Sequence, residues 1–189
     1  MAHLSPHPAR GLLVRFAYWL ARRKLGRVPG PVTAMAHNPS VLRAVGGYEL
    51  SFERASACPT RLKELASVKV ATLVGCRFCI DIGSSLARGH GVSEQELMAL
   101  PFYETSDLLS PLDKRVLDYA VAMTATPVVV SRELFRELAA ELGDAGIVEL
   151  TAAIAWENHR ARFNHACGFV EEGYAGGVVC LLPPHAAAT

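Results

Sequence analysis

Apolar residues recur at helical spacing through most of this chain, and in only one place do they fall into a run that reads as a strand. The clearest case is RLKELASVKVATLVG, where a period near 3.6 residues runs without a turn signal to Gly75 and predicts a helix over about 60 to 74. A second helix is expected from Cys76 to Arg88, ending at Gly89-His90-Gly91. Ser93 with Glu96 forms a capping-box pattern for a short third one, stopped by Pro101. Ser110-Pro111-Leu112-Asp113 opens a helix to about Ala125, Thr126-Pro127 breaks it, and Ser131 caps the next, to about Leu142. The last long helix runs from Asp144 to about Cys167 and stops at Gly168. The valine-rich PVVVS at 127 to 131 has no second strand to pair with and is expected to be a connector. The fold class is therefore all-α.

Before this core, segment 9 to 25 carries Leu12, Leu13, Phe16, Trp19 and Leu20 on one helical face with arginines on the other. The favoured reading is a helix packed on its own domain or on a neighbouring subunit. GRVPGPVTAMAHNP is a breaker-rich connector, and Asn38-Pro39 starts a helix over 39 to 56. These boundaries describe one domain over 1–189, with an N-terminal helical arm at 1–57, a core at 60–125, closing helices at 131–168 and a tail at 169–189. A chain of 189 residues with 51% apolar residues can bury a sizeable core. Its formal net charge of +1 supplies no chain-wide field for nucleic acid or an anionic membrane, so neither is expected as a partner. Arg15 interrupts the apolar run of the N-terminus and no stretch reaches the ~18 to 20 apolar residues of a bilayer span, so a soluble, cytoplasmic chain is expected. There, thiols rest reduced.

That compartment bears on the stretch GCRFCIDIG at 75 to 83, where two cysteines stand three residues apart. Cys76 directly follows Gly75 at a helix start, where unpaired backbone N–H groups and the positive end of the dipole favour thiolate over thiol. Cys79 lies one turn on, within reach of a disulfide. The spacing alone leaves three readings open: a redox dithiol, half of a metal site, or two buried small residues. A structural zinc needs four ligands, and the sequence has no second CxxC. His159 and His165 are six residues apart, about 240° round a helix, and cannot face one ion together. No metal and no cofactor are expected. Glu64, twelve residues before Cys76, is either an exposed helix carboxylate or a proton acceptor for a thiol, and Asp81 poses the same question. Cys58, Cys167 and Cys180 have no close partner in sequence and read as buried small hydrophobes, while His90 reads as a helix-end residue.

The string ELASVKVATLVGCRFCIDIGSSLARGHGVSEQEL resembles the core of the carboxymuconolactone decarboxylase-like superfamily, in its alkylhydroperoxidase AhpD-like branch. The shared signature is a Glu about a dozen residues before a CxxC, followed by a GVS-type helix start, and the likeness covers roughly residues 60 to 125. It implies an AhpD-like helical bundle with the CxxC at the N-terminus of a core helix, assembled as trimers or hexamers, with a dimer as the smaller option. It also implies a redox-active Cys76–Cys79 disulfide that reduces hydroperoxides, with Glu64 in the catalytic site and an external thiol or dithiol as reductant. Cys79 would attack the peroxide and Cys76 would resolve it, whereas helix-end chemistry favours Cys76 as the activated thiol. Two other activities are compatible with the resemblance: lactone decarboxylation, which needs no dithiol, and a non-catalytic oligomeric redox sensor.

The sensor reading arises from a departure. Four residues after Cys79, where the family keeps a relay histidine, stands Gly83, and the tyrosine often found within the CxxC is Phe78. The closing helix offers a substitute, because Asn158 and His165 are seven apart and align within about 20°, with Ile154 and Ala161 on the same stripe. His165 is therefore expected near Cys79, oriented by Glu157 or Asn158. The plainer alternative is a hydrogen-bonded structural histidine.

Overall fold

The computed structural model describes residues 2–176. These residues are all-helical: α1 (Leu12–Leu25), α2 (Gly30–Met35), α3 (Pro39–Phe52), α4 (Thr60–Val74), α5 (Arg77–Gly89), α6 (Glu94–Ala99), a 3₁₀ turn (Leu100–Phe102), α7 (Pro111–Thr124) and α8 (Arg132–Ala166). The PVVVS segment is irregular, and no strand occurs among the described residues. None of the described helices is long and apolar enough to cross a membrane.

The chain divides into two compact units, the first of which takes up most of the expected N-terminal arm. That unit runs to Ala55 and takes in Cys167–Phe169; the second covers Ser56–Ala166 and resumes at Val170. In the first unit Val14, Tyr18, Ala36 and Leu42 form a small core, joined by Val32 and Met35 of α2. That helix lies inside the segment expected to be a breaker-rich connector. Pro29 and Pro31 flank its first residue, and at the first turn of a helix a missing N–H costs nothing, so the same prolines that end one helix can open another.

In the second unit α4 packs against α5, α7 and α8. Leu62, Leu65, Ala66, Val68, Val70 and Ala71 are all buried, so α4 is apolar on nearly every side and must be the central helix. Its two buried lysines are satisfied locally. Lys63 pairs with Glu149 of α8, whose Oε2 also accepts the backbone N–H groups of Ala57 (2.6 Å) and Cys58 (3.1 Å). Lys69 donates to the Leu100 carbonyl at 3.0 Å and sits over the Tyr103 ring. Ser93 with Glu96, and Ser110 with Asp113, form complete capping boxes for α6 and α7, and Arg61 of α4 pairs with both carboxylates. α4 is thereby tied to the starts of both helices. α8 is broken at Gly143 (φ 71°, ψ 169°), the boundary between the two closing helices expected from sequence.

Candidate active site

The site grows from one turn between α4 and α5. Gly75 ends α4 with φ 78° and ψ 23°, a left-handed geometry that a side chain would strain, and its N–H and that of Cys76 both return to the Ala71 carbonyl at 3.0 Å. The chain then reverses directly into α5 with Cys76 as N-cap. The Cys79 backbone N–H donates to Cys76 Sγ at 3.2 Å, the contact a capping oxygen usually makes. Cys76 and Cys79 are joined as a disulfide with their Cα atoms 5.3 Å apart. Cys76 is fully buried and Cys79 is 5% exposed.

The second polar contact comes from α8: Asn164 Nδ2 donates to Cys79 Sγ at 3.3 Å, and Asn164 is itself 5% exposed. His165, which the seven-residue spacing aligns with Asn158 and which is expected from sequence near Cys79, is exposed instead. The buried stripe of α8 runs through Leu150, Ala153, Ile154, Glu157, Ala161 and Asn164. At about 100° per residue its centre is turned away from His165 and toward Asn164. The displacement has a cause: Glu157 belongs to the stripe, buried beside Arg160, which pairs with it at 2.7 Å. Asn158 lies half-buried on the other flank and donates to Thr124 Oγ1 and to the Ile154 carbonyl, both at 3.1 Å. The signal that identifies Asn164 in the sequence is its seven-residue spacing from Glu157, usable only once a buried glutamate is admitted to the stripe.

Gly83 is half-buried, and a Cβ built there would meet one atom of α4, Val68 Cγ2, at 3.4 Å, an ordinary contact distance. Glu64, one turn before Val68, faces His90 at the C-terminal end of α5, with Nδ1 and Oε1 3.4 Å apart. His90 follows Cys79 by eleven residues, roughly 16 Å along the axis at about 1.5 Å per residue. The structure thus joins Cys76, Cys79 and Asn164, and joins Glu64 with His90 elsewhere.

Asp81 has a different role from a proton acceptor. Its carboxylate, 2% exposed, accepts the N–H groups of Glu172 (2.8 Å), Tyr174 (3.0 Å) and Ala175 (2.8 Å). Burial pushes this carboxyl up, but the N–H donors of Ala175, Tyr174, Glu172 and Gly173 together hold it below the usual carboxylate range. Arg77 pairs with Glu171, Arg88 donates to the Ala175 carbonyl at 2.7 Å, and Phe78 meets the Tyr174 ring edge-on. Segment 171–175 is therefore strapped along α5. Of the remaining cysteines, Cys58 is buried and its thiol is pushed up to about 11, chiefly by desolvation, which makes it inert. Cys167 is half-buried, and Cys180 lies outside the described residues. No group of three metal-ligating side chains stands together among the described residues.

Residues 39–122 match the model of the carboxymuconolactone decarboxylase family. The uncharacterized protein YnjA of Escherichia coli (strain K12) is 31% identical over 181 residues, which is 95% of this chain and 97% of YnjA. Two solved structures share the fold. A cysteine-to-alanine variant of the debrominase Bmp8, in complex with 2,3,4-tribromopyrrole, superposes with a TM-score of 0.79 at 23% identity, covering 94% of this chain and 97% of that one. A peroxidase-related protein from Ralstonia eutropha JMP134, with an alkylhydroperoxidase AhpD core, gives 0.74 at 19% identity over 92% and 96%. With its central α4, its Gly75 turn and its CxxC at the head of α5, this chain belongs to the carboxymuconolactone decarboxylase family and has the AhpD-like helical fold.

Proposed function

We propose that the chain is a dithiol oxidoreductase that reduces hydroperoxides through the Cys76–Cys79 pair. The observation that carries this reading is the pair itself, bonded as a disulfide at the head of α5. Attack of the Cys79 thiolate on a hydroperoxide breaks the O–O bond, leaves a sulfenic acid on Cys79 and, with one proton, releases an alcohol. The Cys76 thiol then condenses with the sulfenic acid, expelling water and forming the disulfide. An external thiol or dithiol takes two electrons back to the pair and is itself oxidised to a disulfide. Such a cycle suits the cytoplasm, where that reductant is available. The exposed Leu12, Phe16 and Trp19 on α1 support a homo-oligomer, the assembly expected from the resemblance.

The test is turnover. Hydroperoxide consumption in the presence of a dithiol reductant, with free thiols counted before and after, should give many cycles per chain and the loss of two thiols on oxidation. A single stoichiometric oxidation without turnover refutes the enzyme and leaves the sensor. The debrominase likeness favours one second substrate for the same dithiol, an aryl bromide. There the pair would supply two electrons, carbon would gain a proton, and bromide would leave as the disulfide forms. Bromide release from a bromopyrrole under the same reductant separates the two.

A further inference from the structure

The two sulfurs of the pair sit in different fields. Cys76 has the helix end: it is the N-cap of α5, and its Sγ receives the Cys79 backbone N–H. Cys79 has one side-chain amide, Asn164 Nδ2, delivered from α8 at 3.3 Å between two buried groups. Helix position alone would make Cys76 the thiolate, while the family resemblance gives the attack to Cys79. The amide offers a way to reconcile them.

Resting on the dithiol reading above, we infer that Asn164 is the thiolate-stabilising residue of Cys79. A sulfur in a disulfide is a weak acceptor, whereas a thiolate carries a full charge, and a hydrogen bond to a charged acceptor is the stronger kind. The amide therefore favours thiolate over thiol at Cys79, and the reduced pair over the disulfide. It does so as a fixed dipole. An asparagine holds charge but takes up no proton in the ordinary pH range, so it replaces the electrostatic half of the missing histidine and not its proton transfer. Burial strengthens the effect, since little water competes for the sulfur.

The experiment reads the thiolate directly and needs no substrate. In the reduced Cys76→Ser chain, the ultraviolet absorbance of the thiolate, with the Cys76→Ser/Cys79→Ser chain subtracted, reports Cys79 alone. Replacing Asn164 by Leu, which keeps the bulk and removes the donor, is expected to lower the Cys79 thiolate fraction at neutral pH about tenfold. Asn164→Asp, which adds a negative charge beside the sulfur, should lower it further. An unmutated chain supplies an independent readout should either variant fold poorly. The sequence has three asparagines, Asn38, Asn158 and Asn164, so asparagine-selective ¹⁵N labelling resolves each side-chain amide. The Asn164 amide protons should move downfield when the disulfide is reduced and follow the Cys79 titration. Unchanged absorbance curves, or an Asn164 resonance indifferent to reduction, would overturn the inference. Hydroperoxide turnover by the native chain would stand or fall separately.

Discussion

The two ends of α5 carry different chemistry. At its N-terminus Cys76, Cys79 and Asn164 form a buried cluster that can hold negative charge on sulfur. At its C-terminus Glu64 and His90 form a half-exposed carboxylate–imidazole pair, with Nδ1 and Oε1 3.4 Å apart. The resemblance implies one relay in which carboxylate, imidazole and thiol adjoin. Here the histidine is absent from position 83, the glutamate meets a histidine two turns further along, and Val68 of α4 lies beside Gly83. The twelve-residue spacing between glutamate and cysteine is thus kept in the sequence while the carboxylate pairs with His90.

The sharpest break of the N-terminal end is Cys79→Ser, with Cys76→Ser after it. Cys79→Ser should reduce multiple-turnover hydroperoxide consumption to background, because it removes the attacking thiolate, and Cys76→Ser should slow it, because the Cys79 sulfenic acid must then be reduced by the external thiol alone. Steady-state assays with a dithiol reductant check it. Cys58→Ser, remote in role and inert by its raised pKa, should keep full turnover.

Asp81 anchors the strap along the same end. Asp81→Ala leaves three backbone N–H groups without their acceptor, and a loss of about 2–4 kcal/mol of stability is expected from equilibrium denaturation. Because the folded carboxyl is held below its unfolded value, its contribution is complete above the unfolded value, near pH 4, and disappears as pH falls through the lower folded one. Asp81→Ala should therefore flatten the acid limb of the stability curve below about pH 4 and leave its shape above about pH 5 unaltered.

The cluster and the strap were not equally legible in the sequence. The CxxC, the Gly75 turn and the capping boxes were readable because each depends on residues within one or two turns of one another. α2 was hidden because Pro29-Gly30-Pro31 serves a helix start as well as a break. Asn164 was hidden because its selection depends on the roll of α8 against α4 and α5, set partly by the burial of Glu157, which charge alone argues against. The Asp81 strap joins residues more than ninety apart, and no local pattern announces such a contact.

A histidine restored at position 83 would reconnect the two ends. A Cβ there meets Val68 Cγ2 at the ordinary contact distance of 3.4 Å, and combining Gly83→His with Val68→Ala gives the larger imidazole further room on that side. If the proton path is what this chain lacks, the double variant should reduce hydroperoxide about tenfold faster than the native chain, with a pH profile that bends in the imidazole range. An unchanged rate and profile would mean that proton delivery does not limit the native reaction.

The smallest effect is expected at Glu64, and it decides whether the two ends are separate. Glu64→Gln in the native chain should change the hydroperoxide rate less than about twofold, since the pair it breaks is half-exposed and weak. In the Gly83→His/Val68→Ala chain the same substitution should remove much of the gain, because the carboxylate would then have an imidazole to orient within its reach. The coupling between the two substitutions, read as a double-mutant cycle on the rate, is therefore the measure of the connection. A large loss from Glu64→Gln alone would show that its carboxylate already reaches the cysteines in solution, and the separation of the two ends of α5 would fail.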